Sequence, residues 1–217
     1  MAMRAGLTPE LLLQAYATGI FPMASGRDDP VLHWIDPPQR GILPLDRFRL
    51  SRSLRRRLLR MGWTVAIDQD FAAVIAGCAD RPETWINQPI FELSCALHRM
   101  GFAHSLEVRE GAALIGGVYG VALGGAFFAE SMFSRRTDAS KVALAFLVDR
   151  LRQAGFTLCD TQFPTAHLAS LGGSTISRAT YRSRLAEALA RTADFTRPAL
   201  PAPQELVQRI SQTSNRG

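Results

Sequence analysis

Three polar side chains interrupt stretches that otherwise read as core strands. Glu130 lies within Phe127-Phe128-Ala129-Glu130-Ser131-Met132-Phe133, and Asp160 and Gln162 lie within Leu158-Cys159-Asp160-Thr161-Gln162. A carboxylate in an aromatic strand is costly to bury unless it meets a cation or hydrogen-bond donors. One reading is therefore an internal ion pair. The other is catalytic: Glu130 recognises a cationic substrate, Asp160 handles a proton, and Gln162 donates and accepts hydrogen bonds to orient an amine. Alternation along a strand puts Phe128, Glu130 and Met132 on one face, and Asp160 and Gln162 together on another. Between the two strands, Ser134-Arg-Arg-Thr-Asp-Ala-Ser-Lys141 brings cations to a helix start, a suitable place for phosphate.

The elements that must hold these residues follow from periodicity. Ala103 to Glu110, Ala113 to Leu123 and Ala126 to Phe133 read as three strands joined by short turns, with Gly124-Gly125 as a tight hairpin. Thr137 or Asp138 is the expected cap of a helix from Ala139 to Ala154, whose apolar face is Val142, Phe146, Leu147 and Leu151. A crossover helix lays the next strand, Phe156 to Gln162, parallel to its predecessor. This order predicts an α/β (α+β) fold with an acetyltransferase-like mixed sheet of the GNAT type.

Upstream, Thr8-Pro9-Glu10 starts a helix that Gly19 closes, and residues 1–37 read as a small irregular N-terminal domain. Residues 38–195 form the expected catalytic domain, and the Pro-rich tail 196–217 is expected to be mobile. Leu50, Leu54 and Leu58 repeat every four residues, with Arg52, Arg55, Arg56 and Arg60 on the other side and Arg57 at the edge. Five arginines within nine positions, without an acid to relieve their repulsion, point to a facing polyanion rather than a solvated charged face. The loop around Trp85 is either a ligand wall or a plug over the core, and composition favours the plug.

Net charge is +6 and every basic residue except Lys141 is arginine, a balance that favours a polyanionic partner. Cys78, Cys95 and Cys159 show no CxxC or ligand spacing and read as buried thiols in a reducing compartment. The four histidines form no metal-binding array, so no metal is expected. No stretch approaches the ~20 apolar residues of a membrane span, and Met1 to Gly6 lacks a signal-peptide core. The expected location is cytoplasmic, with no membrane partner. The glycines at 116, 117, 120, 124 and 125 make neither GxGxxG nor GxxxxGK[ST], and within strands they mark close approach of a ligand or another backbone. A coenzyme A enzyme would carry a glycine-containing pyrophosphate loop before the crossover helix, and residues 134–141 contain no glycine.

A set of stretches, in order from residue 12 to 172, resembles the leucyl/phenylalanyl-tRNA-protein transferase family, bacterial enzymes of the N-end rule pathway. They are Leu12-Leu-Gln-Ala-Tyr-Ala-Thr-Gly-Ile-Phe-Pro22, Ser51-Arg-Ser-Leu54, Ile75-Ala-Gly-Cys-Ala79, Thr84-Trp-Ile86, Gly101-Phe-Ala-His-Ser-Leu-Glu-Val108, Gly116-Gly-Val-Tyr-Gly-Val121, Glu130-Ser-Met-Phe-Ser-Arg135, Ala139-Ser-Lys141, Asp160-Thr-Gln162 and His167-Leu-Ala-Ser-Leu-Gly172. The resemblance implies transfer of Leu or Phe, less well Met, from aminoacyl-tRNA to the α-amine of proteins with N-terminal Arg or Lys, with no cofactor and no metal. It implies a catalytic group of Asp160, Gln162 and Glu130. It maps the apolar substrate pocket to Val118, Phe127, Met132, Leu144 and Cys159, to which Trp85 is added as a candidate wall. The arginine helix matches the region that holds the tRNA acceptor stem, and Arg135 and Lys141 extend the tRNA-binding set. Departures from the family are Met23 in place of a Trp, His33-Trp34 in place of a Trp pair, and Val118 where Met is frequent. Two competing readings are an acyl-CoA-dependent N-acetyltransferase and a non-catalytic RNA-binding domain.

Overall fold

The computed structural model describes residues 7–60 and 62–214; the Met1–Gly6 stretch, read above as lacking a signal peptide, lies outside the described residues. The first helix, α1 (Pro9–Thr18), begins where the Thr8 hydroxyl accepts the Leu11 amide at 3.2 Å and ends at Gly19 with φ 85°. Strands β1 (Phe21–Ala24) and β2 (Leu32–Ile35) then pair antiparallel.

The main sheet is built from β3 (Gln39–Ile42), β4 (Thr64–Ile67), β5 (Ala103–Glu110), β6 (Ala113–Leu123), β7 (Ala126–Ser134), β8 (Leu158–Gln162) and β9 (Ser174–Ser177). Their spatial order is β4-β5-β6-β7-β8-β3-β9. The expected meander is β5-β6-β7, and β8 lies parallel to β7 after the crossover helix α5 (Ala139–Gln153). The mixed sheet expected from the order of elements is the one observed. Sequence reading missed β3, which pairs antiparallel with both β8 and β9 although it comes from the Pro- and Gly-rich stretch before residue 44.

Two apolar layers cover the sheet. One face buries α5 together with Leu54 and Leu58 of α2 (Arg52–Arg60). The other buries α1, α3 (Phe71–Ala79), α4 (Gln88–Arg99) and Tyr181 and Leu185 of α7 (Arg178–Leu189). Tyr16 and Phe21 share that second core with Phe128 and Tyr181, so the N-terminal segment is continuous with the sheet's packing. The three cysteines are unpaired. Among the described residues no helix is long and apolar enough to cross a membrane.

Three expectations are corrected. The tail is not mobile as a whole: α8 (Pro203–Ser214) buries Leu206, Val207 and Ile210 in the core shared with α2 and α5. The prolines suggested a linker, whereas Pro203 opens a helix whose Leu206, Val207 and Ile210 share one face. Arg150 fastens the approach by donating to the carbonyls of Phe195 and Pro198. Second, Asp138 does not cap α5 with its side chain; it stands at φ 72°, and the Ser134 hydroxyl accepts the Ser140 amide at 3.1 Å instead. Third, Met132 does not share a face with Phe128. A bulge pairs Tyr119 with Ser131 but Gly120 with Ala129, leaving Glu130 as the extra residue and reversing the alternation beyond it. Met132 therefore packs toward the α5 side, opposite Phe128.

Candidate active site

The pairing of β7 with β8 ends at Phe128 and Asp160, and beyond that point residues of the two strands border a cavity of about 290 Å³. Val118, Ala129, Met132, Leu144 and Leu168 form its apolar part, Phe21, Met23, Trp85 and Phe163 an outer wall, and Arg81 part of the rim. Glu130, Thr161, Gln162 and Thr165 supply polar lining. Trp85 both borders the cavity and packs against the second core. Of the expected pocket, Val118, Met132 and Leu144 line the cavity, but Phe127 and Cys159 do not; both are about 1% exposed and belong to the core beneath it. Their parity places them toward α5, where Phe127 stacks on Phe195 at 5.4 Å.

At the polar end, Glu130 Oε1 accepts two hydrogen bonds, from Tyr16 Oη and from Gln162 Nε2, each 2.9 Å long. Burial pushes the Glu130 carboxyl up to about 8; the Tyr16 hydrogen bond opposes the shift, and the negative charge of Asp160 adds to it. Burial first, and then the Glu130 charge, hold the Tyr16 phenol well above its ordinary value, so Tyr16 is a donor here. A carboxyl that titrates near 8 in a cavity can exchange a proton with an amine of similar basicity.

Asp160 stands elsewhere. It is fully buried behind the cavity, and both its oxygens are occupied. Arg40 donates to it twice, Nε to Oδ1 at 2.9 Å and Nη2 to Oδ2 at 2.6 Å; Tyr181 Oη donates to Oδ2 at 2.7 Å. The backbone amide of Gln162 donates to Oδ1 at 2.8 Å. Asp160 is not among the residues that line the cavity, and the donors around it are all protein groups. It does hold Gln162, whose φ of 56° is uncommon for a side-chain-bearing residue, with its side chain turned to Glu130. Gly41 opposite makes this bend possible, since a Cβ there would stand 2.7 Å from the Phe163 carbonyl carbon.

Arg40, Tyr16 and Tyr181 were not assigned roles from sequence. The buried Arg40 is clasped between the rings of Phe21 and Tyr181 at 4.5 and 4.4 Å, and its Nη1 donates to Gly19 O. The cost of burying Asp160 and Glu130 signalled that partners must exist, but not which residues, 120 and 114 positions away, they would be.

The cationic candidates divide into two groups. Arg52, Arg55, Arg56 and Arg60 are all exposed on α2, and among the described residues none forms an ion pair. Arg135 lies 3.7 Å from Asp80, and Lys141 donates to Asp138 at 2.9 Å. Both are therefore partly neutralised. The amides of Ala139 and Ser140 at the start of α5 are taken by Arg136 O and Ser134 Oγ.

The family profile described as "Leucyl/phenylalanyl-tRNA protein transferase" matches residues 42–186, and the profile of its N-terminal domain matches residues 5–38. The chain belongs to the leucyl/phenylalanyl-tRNA protein transferase family. It is 66% identical over 209 residues to the protein of that name from Cereibacter sphaeroides, covering 96% of this chain and 98% of that one. The protein of the same name from Ruegeria sp. is 65% identical over 208 residues, covering 96% and 99%. This is a family of aminoacyltransferase enzymes, and the chain is one of them. A crystal structure of FemX shares the fold, with a TM-score of 0.52 at 14% identity over 77% of this chain and 66% of that one.

Proposed function

We propose that the chain transfers Leu or Phe, and Met less well, from aminoacyl-tRNA to the α-amine of proteins with N-terminal Arg or Lys, marking them for degradation in the cytosol. The observation that carries this reading is the Glu130–Gln162 hydrogen bond at the polar end of an otherwise apolar cavity. The apolar part, shaped by Val118, Ala129, Met132 and Leu144, suits an uncharged side chain unbranched at Cβ. The polar end receives the acceptor amine.

The aminoacyl ester is already activated, so alignment and proton transfer carry most of the work. Glu130 takes a proton from the acceptor ammonium, and the Gln162 amide oxygen accepts an N–H of the same amine. The amine nitrogen bonds to the ester carbonyl carbon. The carbon–oxygen bond to the ribose then breaks, and the leaving 3′ oxygen takes up, as the hydroxyl, the second proton that the nitrogen loses on becoming an amide. One amide is formed, and one ester is lost. Asp160 contributes by position, holding the Gln162 backbone and, through Arg40, the Gly19 turn. The unpaired arginines of α2 suit the phosphates of the acceptor stem.

An acyl-CoA donor is disfavoured by the start of α5, where the Ala139 and Ser140 amides are already bonded within the loop. The test offers leucyl-tRNA or acetyl-CoA with one Arg-initiated peptide. Acylation only from leucyl-tRNA, abolished by ribonuclease, supports the proposal. Acylation from acetyl-CoA with none from tRNA refutes it, and tRNA binding without transfer reduces the chain to an RNA-binding module.

A further inference from the structure

The helix α8 lies beyond the residues 42–186 that the family profile covers, and its outer face is unusual. Gln204, Gln208 and Gln212 recur every four residues, so they form one row along the helix. Together with Ser211 they line one side of a groove of about 300 Å³, whose other side is Arg55 and Leu59 of α2. The two helices keep a fixed relation because each inserts its apolar residues, Leu54 and Leu58 from α2 and Leu206, Val207 and Ile210 from α8, into one core. Arg209 pins α8 further, with Nη1 2.9 Å from Asp149 Oδ2 on α5.

The charges are arranged to keep this groove positive. The acid in the first turn of α8, Glu205, is engaged by Arg209, and the α8 positions lining the groove are three glutamines, Ser211 and Val207, none of them charged. Among the described residues Arg55 has no ion pair, and Arg52 and Arg56 stand beside it. A glutamine amide both donates and accepts, as a phosphate oxygen and a ribose 2′-hydroxyl together require. An arginine beside it supplies the charge-assisted contact to phosphate.

We propose that α8 and α2 form one RNA-binding groove, in which the glutamine row contacts the sugar–phosphate backbone of the tRNA acceptor arm beside Arg55. The inference rests on the functional reading above and adds a helix to it. Neutral amides tune the site because they leave its positive field intact.

The test uses the full chain with Gln208→Glu and Gln208→Lys, both exposed helix substitutions, and Arg55→Ala as a reference. Binding of leucyl-tRNA is measured across a salt series, and transfer is measured with leucyl-tRNA and with leucyl-adenosine, which lacks the acceptor arm. The expected result is opposite signs: Gln208→Glu raises KM for leucyl-tRNA about three- to tenfold and lowers the log K against log salt slope by about one, and Gln208→Lys does the reverse. Both are expected to leave transfer from leucyl-adenosine and thermal unfolding unchanged. If both Gln208 variants bind like the parent while Arg55→Ala weakens binding, α8 is not part of the surface and the proposal is overturned. Equal weakening toward a heparin fragment with no change in KM overturns it in favour of non-specific polyanion contact. A parent chain that transfers nothing from leucyl-tRNA defeats the functional reading itself, a result distinct from both.

Discussion

Arg40 and Asp160 form a two-point ion pair with both side chains essentially excluded from solvent, at 1% and 0% exposure. Removing one member of such a pair leaves the other charge buried without compensation, which costs about 3–5 kcal/mol. Arg40→Met and Asp160→Ala are therefore both expected to lower stability by about that much in urea unfolding. Asp160→Asn keeps an acceptor for the Gln162 amide and is expected to retain more transfer activity than Asp160→Ala. In all three, kcat/KM falls more than tRNA affinity, because the disturbance reaches Gln162. Unchanged turnover of Asp160→Ala contradicts the positioning role.

Glu130 makes a pH prediction whose sign is fixed by its environment. Its folded-state value is raised to about 8 from an ordinary 4.5, so between those values the folded protein binds more protons than the unfolded chain. Stability then falls as pH rises through that window. Glu130→Gln removes this slope, and its unfolding free energy relative to the parent improves as pH goes from 5 to 8. If Glu130 also serves as the base, the same variant loses about 10²- to 10⁴-fold in kcat at saturating tRNA and peptide. Parallel stability–pH curves for parent and variant sink the first claim, and an unchanged kcat the second.

Much of this architecture was legible from residue patterns, and the failures have physical causes. The Gly124-Gly125 hairpin, the helix start at Thr8 and the four-residue apolar spacing of Leu54 and Leu58 mark local structure, and these read correctly. What could not be read was long-range. The Arg40–Asp160 and Tyr16–Glu130 partnerships depend on tertiary packing, and the bulge at Glu130 changes which way Met132 points without leaving a mark in the pattern of apolar residues. The glycines of β6 were read as points of close approach by a ligand or a backbone, and it is protein that approaches them.

Gly120 gives that last point a test. A Cβ there would stand 2.3 Å from the Phe128 carbonyl oxygen and 2.6 Å from the Phe127 ring. Gly120→Ala is expected to cost about 1–3 kcal/mol by overpacking. A variant as stable as the parent in chemical denaturation contradicts this.

Cavity size should set the choice of donor. Ala129→Val adds bulk to a space of about 290 Å³ that Ala129 lines. Phenylalanyl-tRNA is expected to lose about tenfold in kcat/KM relative to leucyl-tRNA, within the range of 10- to 200-fold seen for small changes in apolar pockets. An unchanged ratio places the aminoacyl side chain elsewhere.

The central claim is that this cavity joins a tRNA-borne Leu to an N-terminal amine beside Glu130. The most direct measurement supplies ¹⁴C-leucyl-tRNA with two peptides differing only in an N-terminal Arg or Ala. Label on the Arg peptide and little on the Ala peptide is the expected result; no label on the Arg peptide, or equal label on both, contradicts the assignment.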